Sequence, residues 1–239
     1  MRRKMKGVVF LIVFSVFVSV QGVEASIIIN EIFSDPPTGL LGDANNDGIR
    51  SSSQDEFIEV LNNGSTSENI SGWSLSDSVS VRHVFPNDTI LLPYTFMAVF
   101  GGGSPEFSEV AWQTSSTGLL GLNNGGDMVS LWNTQNERMD QVTYGSIGGK
   151  DQSITLFPDG EEGEFVLHSE LPESRGALFS PGTSVDTQLT LASLNLEEDI
   201  PGDFGEGNPL EQPVVPELPT LLYFTMGWGA TFFRKRVVG

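Results

Sequence analysis

Cysteine is absent from all 239 residues, so no disulfide braces the fold and no thiolate can act as nucleophile or zinc ligand. Histidine is almost absent as well. His83 and His168 stand far apart, and neither falls in an H-E-x-x-H spacing. No G-x-S-x-G elbow occurs. "GSIGGK" (145–150) is one residue short of a phosphate loop and puts Asp151 where Ser or Thr should follow the lysine. Positive charge is scarce: 12 Lys and Arg stand against 31 Asp and Glu, a formal net charge of −19. Four of the basic residues fall within the first six positions and three in 234–236, so residues 26–216 keep five against 29 acidic side chains. A surface that acidic excludes nucleic acid and anionic lipid as partners of the middle of the chain, and favours divalent cations. Also missing is any sustained apolar period of 3.6 residues with a helix cap between the two ends.

The two ends differ from the rest. Residues 1–25 open with Arg2, Arg3, Lys4 and Lys6, continue as an apolar run from Val8 to Val20, and close on Val23-Glu24-Ala25. A basic n-region, an apolar h-region and a small-x-small site together read as a secretory signal peptide. Residues 216–239 carry no charge from Leu218 to Phe233 and then Arg234, Lys235 and Arg236. Such a run is a short apolar helix near the lower limit for a membrane span, with the basic cluster on the cytoplasmic side. Residues 184–215 are acidic and rich in Pro and Gly, the composition of a disordered spacer.

What lies between, residues 26–183, is a series of short strand patterns separated by Gly, Asn, Asp, Ser and Pro. "SIIINEIF" (26–33) is β-branched and apolar, while "EFIEVLN" (56–62) sets Ile58 and Val60 on one face and Phe57, Glu59 and Leu61 on the other. "NISGWSLSD" (69–77), "TILLPYTFMAVF" (89–100), "GLNNGGDMVSLWN" (121–133), "RMDQVTYG" (138–145) and "QSITLFP" (152–158) follow. Strands at this spacing predict one all-β domain, a sandwich or barrel. Trp73 is expected in its core.

One loop stands out. "DANNDGIRSSSQDEFIEV" (43–60) begins like the D-x-[DN]-x-[DN]-G opening of an EF-hand, but Gln54 occupies the place of the bidentate Glu. Pro36 and Pro37 upstream and a strand downstream exclude a helix-loop-helix. Asp43, Asn45, Asp47, Asp55 and Glu56 still put five hard oxygen donors within a short span. Calcium tolerates irregular oxygen shells, so the expectation is a structural Ca²⁺ site, with an Asx-turn loop as the alternative. Trp112, in a loop-like stretch, and Trp132, opposite Val129 and Leu131, are the candidates for stacking on a sugar ring. Paired carboxylates such as Asp55/Glu56 and Glu161/Glu162 leave a glycoside hydrolase as the weakest alternative.

"IIINEIFSDPP", "DEFIEVLNNGS", "ISGWSLSD", "HVFPNDTILLPYTFMAVF", "GLNNGGDMVSLWN" and "DQVTYG" together, in that order, resemble the bacterial branch of the lamin tail domain. The resemblance implies an immunoglobulin-like β-sandwich. The tail, "VPELPT" followed by an apolar run and a basic cluster, is similar to a PEP-CTERM sorting signal, with Leu218 inserted in the usual Pro-Glu-Pro. That similarity implies export from a Gram-negative bacterium, a sorting protease acting at the tail, and a place on the outer face of the inner membrane and then at the cell surface. The expected function is a non-enzymatic structural or adhesive module, its partners extracellular polysaccharide or other envelope proteins. A carbohydrate-binding module is the alternative.

Overall fold

The computed structural model of the chain describes residues 27–185 and 236–238. The expected signal peptide, most of the spacer and the apolar stretch of the tail lie outside the described residues. In chain order the strands are β1 (Ile27–Phe33), β2 (Phe57–Asn62), β3 (Glu68–Asn69), β4 (Ser74–Ser76), β5 (Val81–Val84), β6 (Ile90–Leu91) and β7 (Phe96–Phe100). They continue as β8 (Trp112–Thr114), β9 (Asp127–Trp132), β10 (Arg138–Tyr144), β11 (Ile154–Phe157), β12 (Glu164–Leu167) and β13 (Arg236–Val238). Among the described residues no helix is long and apolar enough to cross a membrane.

Two sheets face each other. The larger has the order β12-β11-β1-β2-β7-β8 and the smaller β13-β10-β9-β4-β5, with β3 and β6 as a separate ribbon. Pairing is antiparallel except where β8 joins β7 and β13 joins β10. The architecture is the all-β, immunoglobulin-like sandwich expected. Between the sheets lie Ile32, Ile58, Val60 and Val99 from one side and Leu75, Val129, Leu131 and Val142 from the other, with Trp73 among them. β-branched and aromatic side chains suit this setting because they fill a pleated surface with little loss of rotamer freedom.

The outer face of the larger sheet is covered as well. An alternating strand such as β2 should bury one face and wet the other, yet every residue of β1 and β2 is buried. A second apolar cluster lies there: Phe33, Phe57, Ala98 and Phe100, capped by Ala44, Phe107 and Phe179. Phe33 and Phe179 have ring centroids 4.9 Å apart and Phe57 and Phe100 5.7 Å. The cover comes from the 43–55 loop, from Phe107 in the stretch between β7 and β8, and from a strap of irregular backbone, residues 177–185, none of which carries a periodic pattern.

Besides β5, three short strands fall outside the sequence patterns. β8 forms where Trp112 suggested a loop, as a parallel edge strand on β7. β12 pairs with β11 across the Pro158–Gly163 turn. β13 takes up the last basic residue of the tail. Arg236 begins a strand beside β10, where the buried carboxylate of Asp140 supplies its counter-charge.

Candidate functional site

Asp43, Asn45, Asp47, Asp55 and Glu56 all lie at one end of the larger sheet, but their oxygens do not converge. Asp55, fully buried, accepts from the backbone N–H of Asn45 (3.1 Å) and of Ser51. Asp47 Oδ1 accepts from Ile49 N (2.9 Å) and its Oδ2 from Ser104 N (3.0 Å). Asn45 Oδ1 takes the Asp47 N–H at 3.1 Å, and Asp43 Oδ2 takes that of Gly48 at 2.9 Å. Glu56 turns away, its Oε2 accepting from Gly121 N (3.0 Å) and Leu122 N (3.3 Å). Among the described residues no three His, Asp or Glu side chains are grouped so as to hold a metal ion. As folded, the set does not make a calcium shell: most of its oxygens are held apart by backbone donors, and Asp43 Oδ1, buried with no hydrogen-bond partner, has no second carboxylate grouped with it.

The loop is instead knotted to the triglycine at 101–103. Asn45 Nδ2 donates to the Gly102 carbonyl (3.2 Å), and Glu106 N donates to the Asn45 carbonyl (3.0 Å). A Cβ on Gly101 would sit 1.8 Å from the Ser53 carbonyl oxygen. Gly103, at φ 79°, would place one 2.3 Å from Asn45 Nδ2 and 2.6 Å from Asp47 Oδ2.

The same chemistry recurs on β1 and β2, in residues that the sequence did not single out. Glu31 and Glu59 are register partners, and both are fully buried. Glu31 Oε1 accepts from Ser180 N at 3.0 Å and its Oε2 from Ser180 Oγ at 2.7 Å. Glu59 Oε2 accepts from Gly182 N at 2.6 Å, and Asp159 Oδ2 from Val185 N at 3.1 Å. Asn30 Nδ2 joins the last two carboxylates, at 3.0 Å from Glu59 Oε1 and 2.8 Å from Asp159 Oδ1. Three carboxylates therefore clasp the strap residue by residue. Burial, with the charges of Glu31 and Asp159 beside it, holds the Glu59 carboxyl well above the usual carboxylate range. Burial likewise raises Asp55 and pushes Glu56 up to about 7, against the lowering effect of the amides each accepts.

His168 completes this layer. Its Nδ1 donates to the Ala177 carbonyl (2.8 Å) and its Nε2 lies 2.9 Å from Ser180 Oγ. A serine between an imidazole and a carboxylate has the parts of a nucleophilic triad. Here His168 and Glu31 are 0 % exposed and Ser180 1 %, so the group is sealed under the strap it fastens. The sequence did carry a signal for the clasp: a carboxylate amid β-branched residues, as in "IIINEIF", has to find donors or pay heavily for burial.

On the exterior, Trp112 is 38 % exposed on the edge strand β8. Trp132 is half-buried, its Nε1 donating to Ser76 Oγ at 3.0 Å. It borders a shallow trough on the outer face of the smaller sheet with Ser74, Ser78, Ser130 and Asn136. His83 meets Gln113 Oε1 through Nε2 (2.8 Å) and Ser116 Oγ through Nδ1 (3.2 Å); burial lowers its pKa.

Residues 21–146, just over half of the chain, match the family model of the lamin tail domain. No curated protein matches the chain. The match ends at the close of β10, whereas β11, β12 and the strap that complete the larger sheet and its cover follow it.

Proposed function

Because the chain belongs to the lamin tail domain family, we propose that it is a non-enzymatic structural module, exported and held at the surface of a bacterial envelope or its polysaccharide matrix. One observation carries the first half of this: the buried carboxylates Glu31, Asp55, Glu56 and Glu59 are all engaged in holding backbone amides, which leaves them no place in chemistry on a substrate. Export and surface placement draw on the leader-like residues 1–25 and the tail at 216–239. An exterior of high negative charge keeps such a module soluble and apart from anionic surfaces. In cells, deletion of residues 216–239 releases the protein to the medium; fractionation unchanged by that deletion would refute the anchor.

A glycan-binding role is the second reading, favoured by the trough in which Trp132 lies among serine hydroxyls. A flat indole edged by hydroxyl groups suits a sugar ring. A glycan array with the Trp132→Ala and Trp112→Ala variants tests it. Binding lost with Trp132 alone supports the trough, and no binding to any sugar by the unaltered chain ends this reading.

A further inference from the structure

The seam between the two sheets is closed by the last residues of the chain. Arg236, Val237 and Val238 lie parallel to Val142, Thr143 and Tyr144, and Gly145 N donates to the Val238 carbonyl at 3.1 Å. Val238 packs on the core while Val237 points outward, 70 % exposed. The Arg236 side chain reaches inward and spans both sheets: Nη2 donates to the Asp140 carboxylate of the smaller sheet and to the Ile29 carbonyl of the larger one (2.8 Å). Its guanidinium carbon lies 4.9 Å from the centroid of the Phe165 ring.

Asp140 is what makes this a site rather than a chance contact. Its side chain is 0 % exposed, with Oδ1 accepting from Gln141 N and Oδ2 from Ile29 N, both at 2.8 Å. Arg236 supplies the opposite charge in an ion pair. One guanidinium nitrogen, Nη2, reaches both the carboxylate and the carbonyl while the group lies over an aromatic ring, so charge, hydrogen bonding and a cation–π contact meet in one side chain.

We propose that the outer edge of β10 is a strand-acceptor site for an extended Arg-x-Val segment, occupied here by the chain's own residues 236–238. Asp140, the Ile29 carbonyl and Phe165 read the arginine, the core reads the second valine, and the backbone of β10 supplies the rest, as in β-strand addition. Three residues seated in the sandwich cannot also lie on the far side of a membrane. The site and the membrane therefore compete for the same tail, a consequence that rests on the anchored-tail reading above.

Hydrogen exchange of the full chain in buffer tests the site itself, with β2 as the control for intact folding. Residues 142–145 exchange slowly in the unaltered chain and in Val237→Ala, and about tenfold or more faster in Arg236→Ala, with Arg236→Lys between. Equal exchange in all four chains overturns the acceptor site. The same measurement after reconstitution into vesicles of phosphatidylethanolamine and phosphatidylglycerol tests the competition. Vesicle-bound chain that has lost protection at 142–145 supports it, and vesicle-bound chain that keeps protection overturns it. If the chain is protected in buffer and never associates with vesicles, the anchored-tail reading fails and the acceptor site stands.

Discussion

Glu56 shows what a carboxylate costs when it is buried to hold a loop. Burial outweighs the Leu122 and Gly121 amides and lifts its pKa from 4.5 to about 7. Between those values the folded chain keeps a proton that the unfolded chain has lost. Stability therefore falls as pH rises through this window, and the whole penalty, roughly 3 kcal/mol, stands above it. Glu59 acts in the same direction. Asp77 acts in the opposite one. Burial alone would raise it, but the Arg82 guanidinium and the Ser80 and Val79 amides prevail and lower it, so its contribution is lost as pH falls below the ordinary 3.8. The expected outcome is a higher urea midpoint near pH 5 than near pH 8. Glu56→Gln, which still accepts both amides, narrows that gap; an unchanged gap would remove Glu56 as its source. Glycine matters equally at this scale. Gly103→Ala should cost about 1–3 kcal/mol, from a positive φ and a clash with the 43–47 loop, measured by denaturant titration. Because that loop is closed on backbone donors, excess CaCl₂ or EDTA should leave the thermal midpoint where it is. A calcium-dependent rise that Asp47→Ala abolishes would instead give the loop an ion.

Strands were the most legible elements, and their covers the least. The order of patterns from "SIIINEIF" to "QSITLFP" foretold β1, β2, β4, β7, β9, β10 and β11, since alternation and β-branched runs are local signals. Trp73 fell in the core as its setting in "ISGWSLSD" suggested. The face of β2 that carries Phe57, Glu59 and Leu61 is buried too, and the loop and strap that cover it have no period to detect. For the same reason Asp43, Asn45, Asp47 and Asp55 look like metal ligands in the sequence: a string of oxygen donors does not reveal which backbone amides will meet them. β8 and β13 are three residues each, too short to show a pattern. The strap yields its own prediction. A chain ended at residue 146, where the family match stops, lacks β11, the neighbour of β1, and leaves Phe33 and Phe57 uncovered. It should lose the single cooperative unfolding transition shown by a chain that continues through residue 185. Retention of that transition would show the strap to be dispensable.

For the molecule as a whole, charge and cross-bracing are two sides of one composition. A net charge of −19 repels itself, so screening by added NaCl should raise the thermal midpoint by a few degrees, read by calorimetry at low and physiological ionic strength. A salt-independent midpoint would mean that the surface carboxylates lie too far apart to matter. In a chain without cysteine, the tasks that disulfides perform elsewhere fall to hydrogen bonds between distant segments. Glu31 joins residue 31 to residue 180, and Glu56 joins residue 56 to residue 121. The Glu31 bond also has a mechanical meaning. β1 begins the described domain and the strap ends it, and the two meet directly through Glu31 and Ser180. Tension applied between residues 27 and 185 is borne by the whole clasp, through Val185 on Asp159, Gly182 on Glu59 and then Ser180 on Glu31. The hairpins of the smaller sheet stand outside the line of force, shielded until the clasp gives way.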